Sequence, residues 1–198
     1  MKEILPGIYQ WSWFSQEKGY DFNGHLAVAG AERVMIDPPP LSAEDDAWLQ
    51  KQGPIACIIL TNRDHVREAE TYRKKLKTTI LAPETDAPLM EIKIDRKFKN
   101  GELLPGGIKA VHIQDGKSPG ESALFLDRGK GILILGDALI GKPPGKLNLM
   151  PPEKYKDPAK AREGIRVLLH YKFESILVGD GASILTGGKR AIEEFLRS

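Results

Sequence analysis

Several side chains that could do chemistry come directly after apolar stretches of the sequence. Asp64 and His65 follow the apolar residues 55–60. Asp137 and Asp180 each follow a glycine at the end of a further apolar stretch. Carboxylate and imidazole groups can bind a metal ion, but they also cap helices, close turns and form local hydrogen bonds. The residue types alone leave both interpretations open.

Strands that alternate with helices are predicted to position these residues. Alternating or continuous apolar patterns predict strands at residues 8–14, 25–29, 33–36, 55–60, 79–82, 108–113, 122–126, 132–135 and 175–178. Helices are predicted from a cap at Ser42 to about residue 52, and over residues 66–77, 158–168 and 189–197. Early hairpins followed by strand–helix units favour an α/β fold of the αββα type over a doubly wound sheet. Such a sandwich has two mixed β-sheets flanked by helices.

Composition excludes several classes of protein. The chain has 198 residues, 41% apolar and 28% charged, which is typical of one globular domain. A net charge of +2 gives no electrostatic reason to expect nucleic acid or an anionic membrane as partner. The start of the chain lacks the apolar stretch of a signal peptide, and Cys57 is the only cysteine. These features predict a cytoplasmic protein with a small-molecule substrate or ligand.

Segments of the chain, taken in order, resemble the metallo-β-lactamase superfamily. Residues 58–65, IILTNRDH, resemble its strand followed by HxHxDH, and residues 116–122, GKSPGES, resemble its GHTPGS loop. Residues 133–139, LILGDAL, and 178–181, VGDG, resemble its GDxL strand end and its final GHG turn. Residues 34–37, VMID, resemble a strand whose aspartate supports the metal site. The resemblance covers about residues 8–195 and implies a single domain of this fold over residues 1–198.

The resemblance also implies that the family's first metal position is lost. In the family, the HxH histidines and the GHTPGS histidine bind the first zinc. Here Asn62 and either Leu60 or Thr61 fall at HxH, and Lys117 replaces the loop histidine. A protonated lysine has no lone pair to offer a metal.

The second metal position keeps a coherent set of ligands by the same resemblance. Asp64, His65 and Asp137 match the family pattern, and Asp180 stands where a histidine is usual. These four residues imply at most one divalent ion: zinc, manganese or iron. The ion would activate water for hydrolysis of an ester, thioester, amide or phosphoester. Asp64 and Lys117 are the predicted catalytic residues, with Lys117 stabilising the oxyanion.

The charges also allow a solution without metal. If the fold brings the three aspartates and Lys117 together, their charges sum to −2, which one divalent ion would neutralise. Arg63 or Arg67 could neutralise the carboxylates instead. Lys117 could bind an anionic group of the substrate, act as a base with a lowered pKa, or pair with Asp137.

Two functions follow from these alternatives. One is a metal-dependent hydrolase of unknown substrate, and the other is a metal-free pseudoenzyme with a ligand-binding or structural role. The aromatic residues around the first hairpin include Trp13, which is predicted to line a substrate pocket because this region overhangs the cleft in the family. Packing of the hairpin onto the sheet is the alternative. The basic helix that begins near Arg67 is predicted to present a solvated face.

Overall fold

Two β-sheets packed face to face form the centre of the protein in a computed structural model that describes residues 1–198. The first sheet has seven strands in chain order: β1 (Lys2–Leu5), β2 (Ile8–Ser15), β3 (Tyr20–Ala29), β4 (Glu32–Ile36), β5 (Cys57–Ile59), β6 (Ile80–Pro83) and β7 (Arg96–Phe98). The second has five: β8 (Leu103–Leu104), β9 (Ile108–His112), β10 (Ser122–Leu126), β11 (Ile132–Leu135) and β12 (Ser175–Val178).

Both sheets are mixed. In the first sheet, each strand from β1 to β4 pairs antiparallel with the next, and each strand from β4 to β7 pairs parallel with the next. In the second sheet β8 to β11 are antiparallel, and β12 adds parallel to β11. The predicted αββα sandwich of two mixed sheets is therefore confirmed.

Alternating side chains divide the apolar residues between an inner and two outer layers. Val34 and Ile36 of β4 face the other sheet, whereas Met35 packs outward with the helix residue Leu49. In β11, Ile134 faces inward and Leu133 faces outward. Both faces of the central strands are thus buried, which is why these strands are continuous apolar runs in the sequence.

Four α-helices cover the outer faces: α1 (Ala43–Gln50), α2 (Ala69–Leu76), α3 (Pro158–Gly164) and α4 (Gly188–Arg197). The predicted cap of the first helix is confirmed, because the Ser42 hydroxyl accepts a hydrogen bond from the Asp45 amide at 3.0 Å. The third predicted helix is divided, since α3 passes into a 3₁₀ segment, Ile165–His170. No helix is long and apolar enough to cross a membrane.

The sequence patterns do not predict β1, β7 and β8, and they predict β3 too short. The short β1, β7 and β8 flank or end the sheets, and charged residues such as Lys2 and Arg96 hide their pattern. The strand β3 begins at Tyr20 rather than at residue 25. Asn23 and Gly24 are residue types that are typical of turns. They are extended here because the antiparallel pairing of β3 with β2 continues without a break to the pair Ser15 and Tyr20.

The two sheets are joined at one edge, where the carboxyl ends of β4, β5, β11 and β12 meet. The Ser122 amide donates to the Thr61 carbonyl at 3.0 Å, which links the second sheet to the first. The Asn23 amide donates to the Gly179 carbonyl at 2.7 Å. The Asn23 side chain also donates to the Val178 carbonyl at 2.9 Å. These bonds bring the charged residues that follow the four strands into one cleft.

Candidate functional site

A buried carboxylate, Asp37, organises the inner end of the cleft. Its Oδ1 accepts the Thr61 amide at 2.9 Å, and its Oδ2 accepts the Thr61 hydroxyl at 2.6 Å and His65 Nδ1 at 2.8 Å. Burial raises the pKa of Asp37, but His65, Arg67 and the Thr61 hydroxyl outweigh it and hold that pKa below its usual range, so Asp37 is ionised. The backbone of Asp37 adopts the left-handed region with φ of 45° to reach this position.

His65 lies between two carboxylates. Its Nδ1 contacts Asp37, and its Nε2 lies 3.5 Å from Asp137 Oδ1. Burial and the nearby Arg67 lower the pKa of His65, but the two aspartates outweigh them and raise it to about 10. His65 is therefore an imidazolium at neutral pH. The ring fits only because residue 179 is glycine, since a Cβ there would lie 2.5 Å from His65 Cε1.

Three of the four predicted metal ligands meet. Ligand atoms of His65, Asp137 and Asp180 lie within 4.8 Å of one another, and all three residues are buried. They form a candidate metal-binding triad. The fourth predicted ligand, Asp64, lies outside this group and is 41% exposed at the rim of the cleft.

Lys117 bridges the exposed and the buried carboxylate. Its Nζ lies 2.7 Å from Asp137 Oδ2 and 2.9 Å from Asp64 Oδ2. Burial disfavours the ammonium, but Asp137 and Asp64 outweigh it and raise the pKa of Lys117 above its ordinary value. Burial raises the pKa of Asp137, but His65 first and Lys117 second outweigh it and lower that pKa below its usual range. Of the three hypotheses for Lys117, the geometry favours pairing with Asp137 and opposes a base with a lowered pKa.

Arg67 supplies a second fixed cation. Its Nη2 donates to Asp180 Oδ1 at 2.7 Å and lies 3.5 Å from His65 Nε2. The guanidinium also donates to three backbone carbonyls, those of residues 23, 37 and 179. Its Cζ lies 4.8 Å from the centre of the Phe22 ring. The backbone of Arg67 is left-handed, with φ of 42°, a strained conformation that these contacts hold in place.

This position corrects one prediction. Arg67 does not belong to the solvated face of the basic helix, because α2 begins two residues later, at Ala69, and the Arg67 side chain is only 9% exposed. The neutralising role considered for Arg67 matches its contacts, whereas Arg63 forms no ion pair with the triad.

The arrangement does not fit the metals that the fold implies. At the family's first position the candidate donors are Asn62, which is engaged with Glu121, and Lys117, which is a cation. At the second, the donor types of the triad are suitable, but Arg67 already lies against His65 and Asp180. An ion held by these two residues would have to displace a guanidinium that four other contacts retain, three backbone carbonyls and the Phe22 ring.

A further buried acid, Glu121, lies behind the triad. It is fully buried; its Oε1 accepts from Asn62 Nδ2 at 3.2 Å, and its Oε2 has no hydrogen-bond partner. Burial, together with the charge of Asp137, raises the pKa of Glu121 well above its usual range, so Glu121 is a neutral carboxylic acid. Sequence analysis did not single it out, although an acidic residue at the start of the apolar strand β10 is an available signal.

The aromatic residues of the first hairpin do not form one group. Trp11 is buried and donates from Nε1 to the Pro39 carbonyl at 3.1 Å. Trp13 is 43% exposed and lies 5.9 Å from the Phe22 ring that Arg67 covers. The hairpin thus contacts the site through Phe22, and a role for Trp13 in substrate binding stays a prediction.

Comparison with known proteins agrees with this fold. A family model described as the metallo-β-lactamase superfamily matches residues 1–198. The chain therefore belongs to the metallo-β-lactamase superfamily. No curated protein matches the sequence.

Solved structures with the same fold include enzymes of this superfamily. DIM-1 metallo-β-lactamase exposed to ceftazidime has a TM-score of 0.80 at 13% identity, over 99% of this chain and 95% of that one. A metallo-β-lactamase from Pontibacter korlensis has a TM-score of 0.80 at 15% identity, over 100% and 98%. TMB-1, whose structure addresses substrate and inhibitor binding, has a TM-score of 0.75 at 16% identity, over 98% and 96%. At these identities the likeness concerns the fold alone.

The raised pKa of His65 predicts how stability depends on pH. Its charge stabilises the folded state fully below about pH 6.5, its ordinary pKa, and this contribution is lost as pH rises towards 10. His65→Gln should lower the free energy of unfolding by a few kcal/mol at pH 6, with a difference that shrinks towards pH 10. Urea unfolding across this range measures it. The exposed His170→Gln serves as control, and a difference for His65→Gln that stays constant with pH contradicts the account.

The neutral state of Glu121 predicts a pH dependence of the same sign at lower pH. Because the unfolded chain ionises this group above its ordinary pKa of 4.5 and the folded chain does not, wild type loses stability as pH rises. Glu121→Gln removes this loss, so its stability relative to wild type should increase between pH 5 and pH 8. Thermal unfolding at a series of pH values measures the trend, with the exposed Glu153→Gln as control. A pH-independent offset would show that Glu121 is ionised in the folded protein.

Proposed function

We propose that this protein is a metal-free member of its superfamily that binds a small molecule in the cleft, with Lys117 and Arg67 in place of metal ions. One observation supports the proposal: both cations contact the carboxylates that the fold would otherwise present to metal. Lys117 contacts Asp137 and Asp64, and Arg67 contacts Asp180. A cytoplasmic location, without nucleic-acid or membrane partners, is part of the proposal.

Charge balance favours this assignment. Four carboxylates, those of residues 37, 64, 137 and 180, meet three cations, Lys117, Arg67 and the His65 imidazolium. The three buried carboxylates among them, those of residues 37, 137 and 180, are therefore matched in number by the three cations without an ion, and the fourth, Asp64, is exposed at the rim. A divalent ion would leave an excess of positive charge at a buried site unless a side chain gave up its proton or moved away.

The expectation of a small-molecule ligand comes from the superfamily. One structural relative was exposed to ceftazidime, and another is described through substrate and inhibitor binding. The fold supports the class of ligand, a small molecule, and does not specify the hydrolysis of any particular bond.

A second candidate function is a hydrolase that uses one divalent ion, with Asp64 and Lys117 as catalytic residues. The convergence of His65, Asp137 and Asp180 favours it, as does the bond from His65 Nδ1 to Asp37, which leaves Nε2 directed at the other two ligands. This function requires Arg67 to leave Asp180.

Metal retention by wild type and by a variant without the Arg67 guanidinium distinguishes the two candidate functions. Wild type should retain no stoichiometric zinc, manganese or iron after metal is added back and the protein is desalted. Arg67→Ala uncovers the triad and should retain close to one ion per chain, because the donor types suit a divalent ion. Elemental analysis of both proteins measures this, after circular dichroism has shown that the variant is folded.

Two matched variants sharpen the experiment. Arg63→Ala removes a neighbouring cation that does not contact the triad and should bind no metal. Arg67→Ala combined with Asp180→Asn should lose the metal that the single variant gains. About one ion per chain in wild type, lost in His65→Ala, would refute the metal-free proposal and favour the hydrolase.

A further inference from the structure

A polar cavity opens beside the ion pairs of the cleft. It has a volume of about 560 Å³, and Lys117 belongs to its lining. None of its lining residues is hydrophobic, and the charged ones are Arg63, Lys117, Lys156, Lys160, Asp115 and Asp157. Ligand pockets of this size are usually mostly apolar, so the lining implies a highly polar ligand.

The charges of this cavity are unbalanced. Four of the lining residues are cations and two are carboxylates. Neither Arg63, Lys156 nor Lys160 takes part in any of the ion pairs of the chain. Asp157 is already engaged, because its Oδ1 accepts the amides of Ala159 and Lys160 at the start of α3. The three cations outside ion pairs still outnumber the two carboxylates, Asp115 and Asp157, so the lining carries an excess of positive charge.

The walls of the cavity are fixed from behind by Asp86. This carboxylate is fully buried and accepts the Arg63 amide at 2.8 Å and the Ser118 hydroxyl at 2.6 Å. It also accepts the Gly120 amide at 2.6 Å. The turn that carries Arg63 and the loop that carries Lys117 are thus tied to one group. A preorganised pair of walls lowers the entropic cost of binding a ligand between them.

We propose that this cavity binds a small organic polyanion through its phosphate or carboxylate groups, which contact Arg63, Lys156 and Lys160. Lys117 forms the inner boundary, so the rest of the ligand extends towards Asp64 and the ion pairs of the cleft. The inference rests on the proposed function in one respect, since it treats Lys117 as a fixed cation, and it names the class of small molecule that the cleft binds.

Calorimetric titration with defined anions tests the proposal. The probes are inorganic phosphate, pyrophosphate and citrate, each titrated into the 198-residue chain at low salt and at about 0.15 M salt. Pyrophosphate or citrate should bind more tightly than phosphate, because each presents more than one anionic group. Tighter binding of pyrophosphate identifies the anionic group of the natural ligand as phosphate, and tighter binding of citrate identifies it as carboxylate.

Charge-matched triple variants locate the binding. In the cavity variant, Arg63→Gln, Lys156→Gln and Lys160→Gln are combined, and the affinity for the preferred anion should fall at least tenfold. In the control, Lys51→Gln, Lys97→Gln and Lys172→Gln remove three exposed cations from other surfaces and should leave the affinity within twofold of wild type. Both variants have the same net charge, so general attraction of anions weakens them equally. An equal loss in both, or no binding of any probe to wild type, overturns the proposal.

Treatment with EDTA, which is then removed by dialysis because it is itself a polyanion, keeps this test separate from the test of the metal-free proposal. Affinities that are unchanged after EDTA, together with the loss in the cavity variant, support the anion site whatever the metal analysis gives. Affinity that disappears with EDTA, while the cavity variant binds normally, means that the anions bind a metal ion, and this overturns the anion site. A metal-free protein that binds no anion overturns only the anion site.

Discussion

Burial of carboxylates at the joined edge of the two sheets is the constraint on which this structure depends. Asp37, Asp137 and Asp180 are all less than a twentieth exposed, and an ionised carboxylate removed from water must be compensated by a nearby cation or by hydrogen bonds. In this chain the compensation comes from Lys117, Arg67 and the His65 imidazolium.

Several features of the fold serve this compensation. The left-handed backbone at Asp37 and Arg67 costs roughly 1 to 3 kcal/mol at each residue, and it persists because the side chains it directs are held by several partners. Gly179 leaves room for the His65 ring, and the β2–β3 hairpin supplies both the Asn23 carbonyl and the Phe22 ring that hold Arg67. A loss of one cation would leave a buried charge unpaired, which is a larger penalty than the loss of an exposed ion pair.

The fold could be predicted from the sequence because it is specified by local patterns and by the order of short motifs along the chain. The sandwich is predicted by local patterns, such as the continuous apolar runs at β5 and β11 and the helix cap at Ser42. The edge where polar residues meet is predicted by Asp137 and Asp180, which follow glycines at the ends of apolar runs. Edge strands such as β7 were missed because their charged residues carry no apolar pattern. Asp64, Asp137 and Asp180 follow apolar runs in the sequence, but the partners of these side chains depend on side-chain directions that no spacing specifies.

Arg67 and Glu121 illustrate this limit. Arg67 follows His65 by two residues and looks like the first of several cations on a helix, yet the helix begins after it and its left-handed backbone turns the side chain inward. Glu121 lies at the start of an apolar strand, and only the proximity of Asp137 and the lack of a partner for its Oε2 account for its neutral state. Both features arise from contacts between segments distant in the chain.

The central claim is that side-chain cations occupy the place of metal in this protein. The most direct measurement is a crystal structure of the wild-type protein grown with excess zinc and manganese, with anomalous diffraction recorded at the absorption edge of each metal. The account predicts no anomalous peak among His65, Asp137 and Asp180, with the Arg67 guanidinium still donating to Asp180. A strong peak between these three residues, with Arg67 displaced from Asp180, would contradict it.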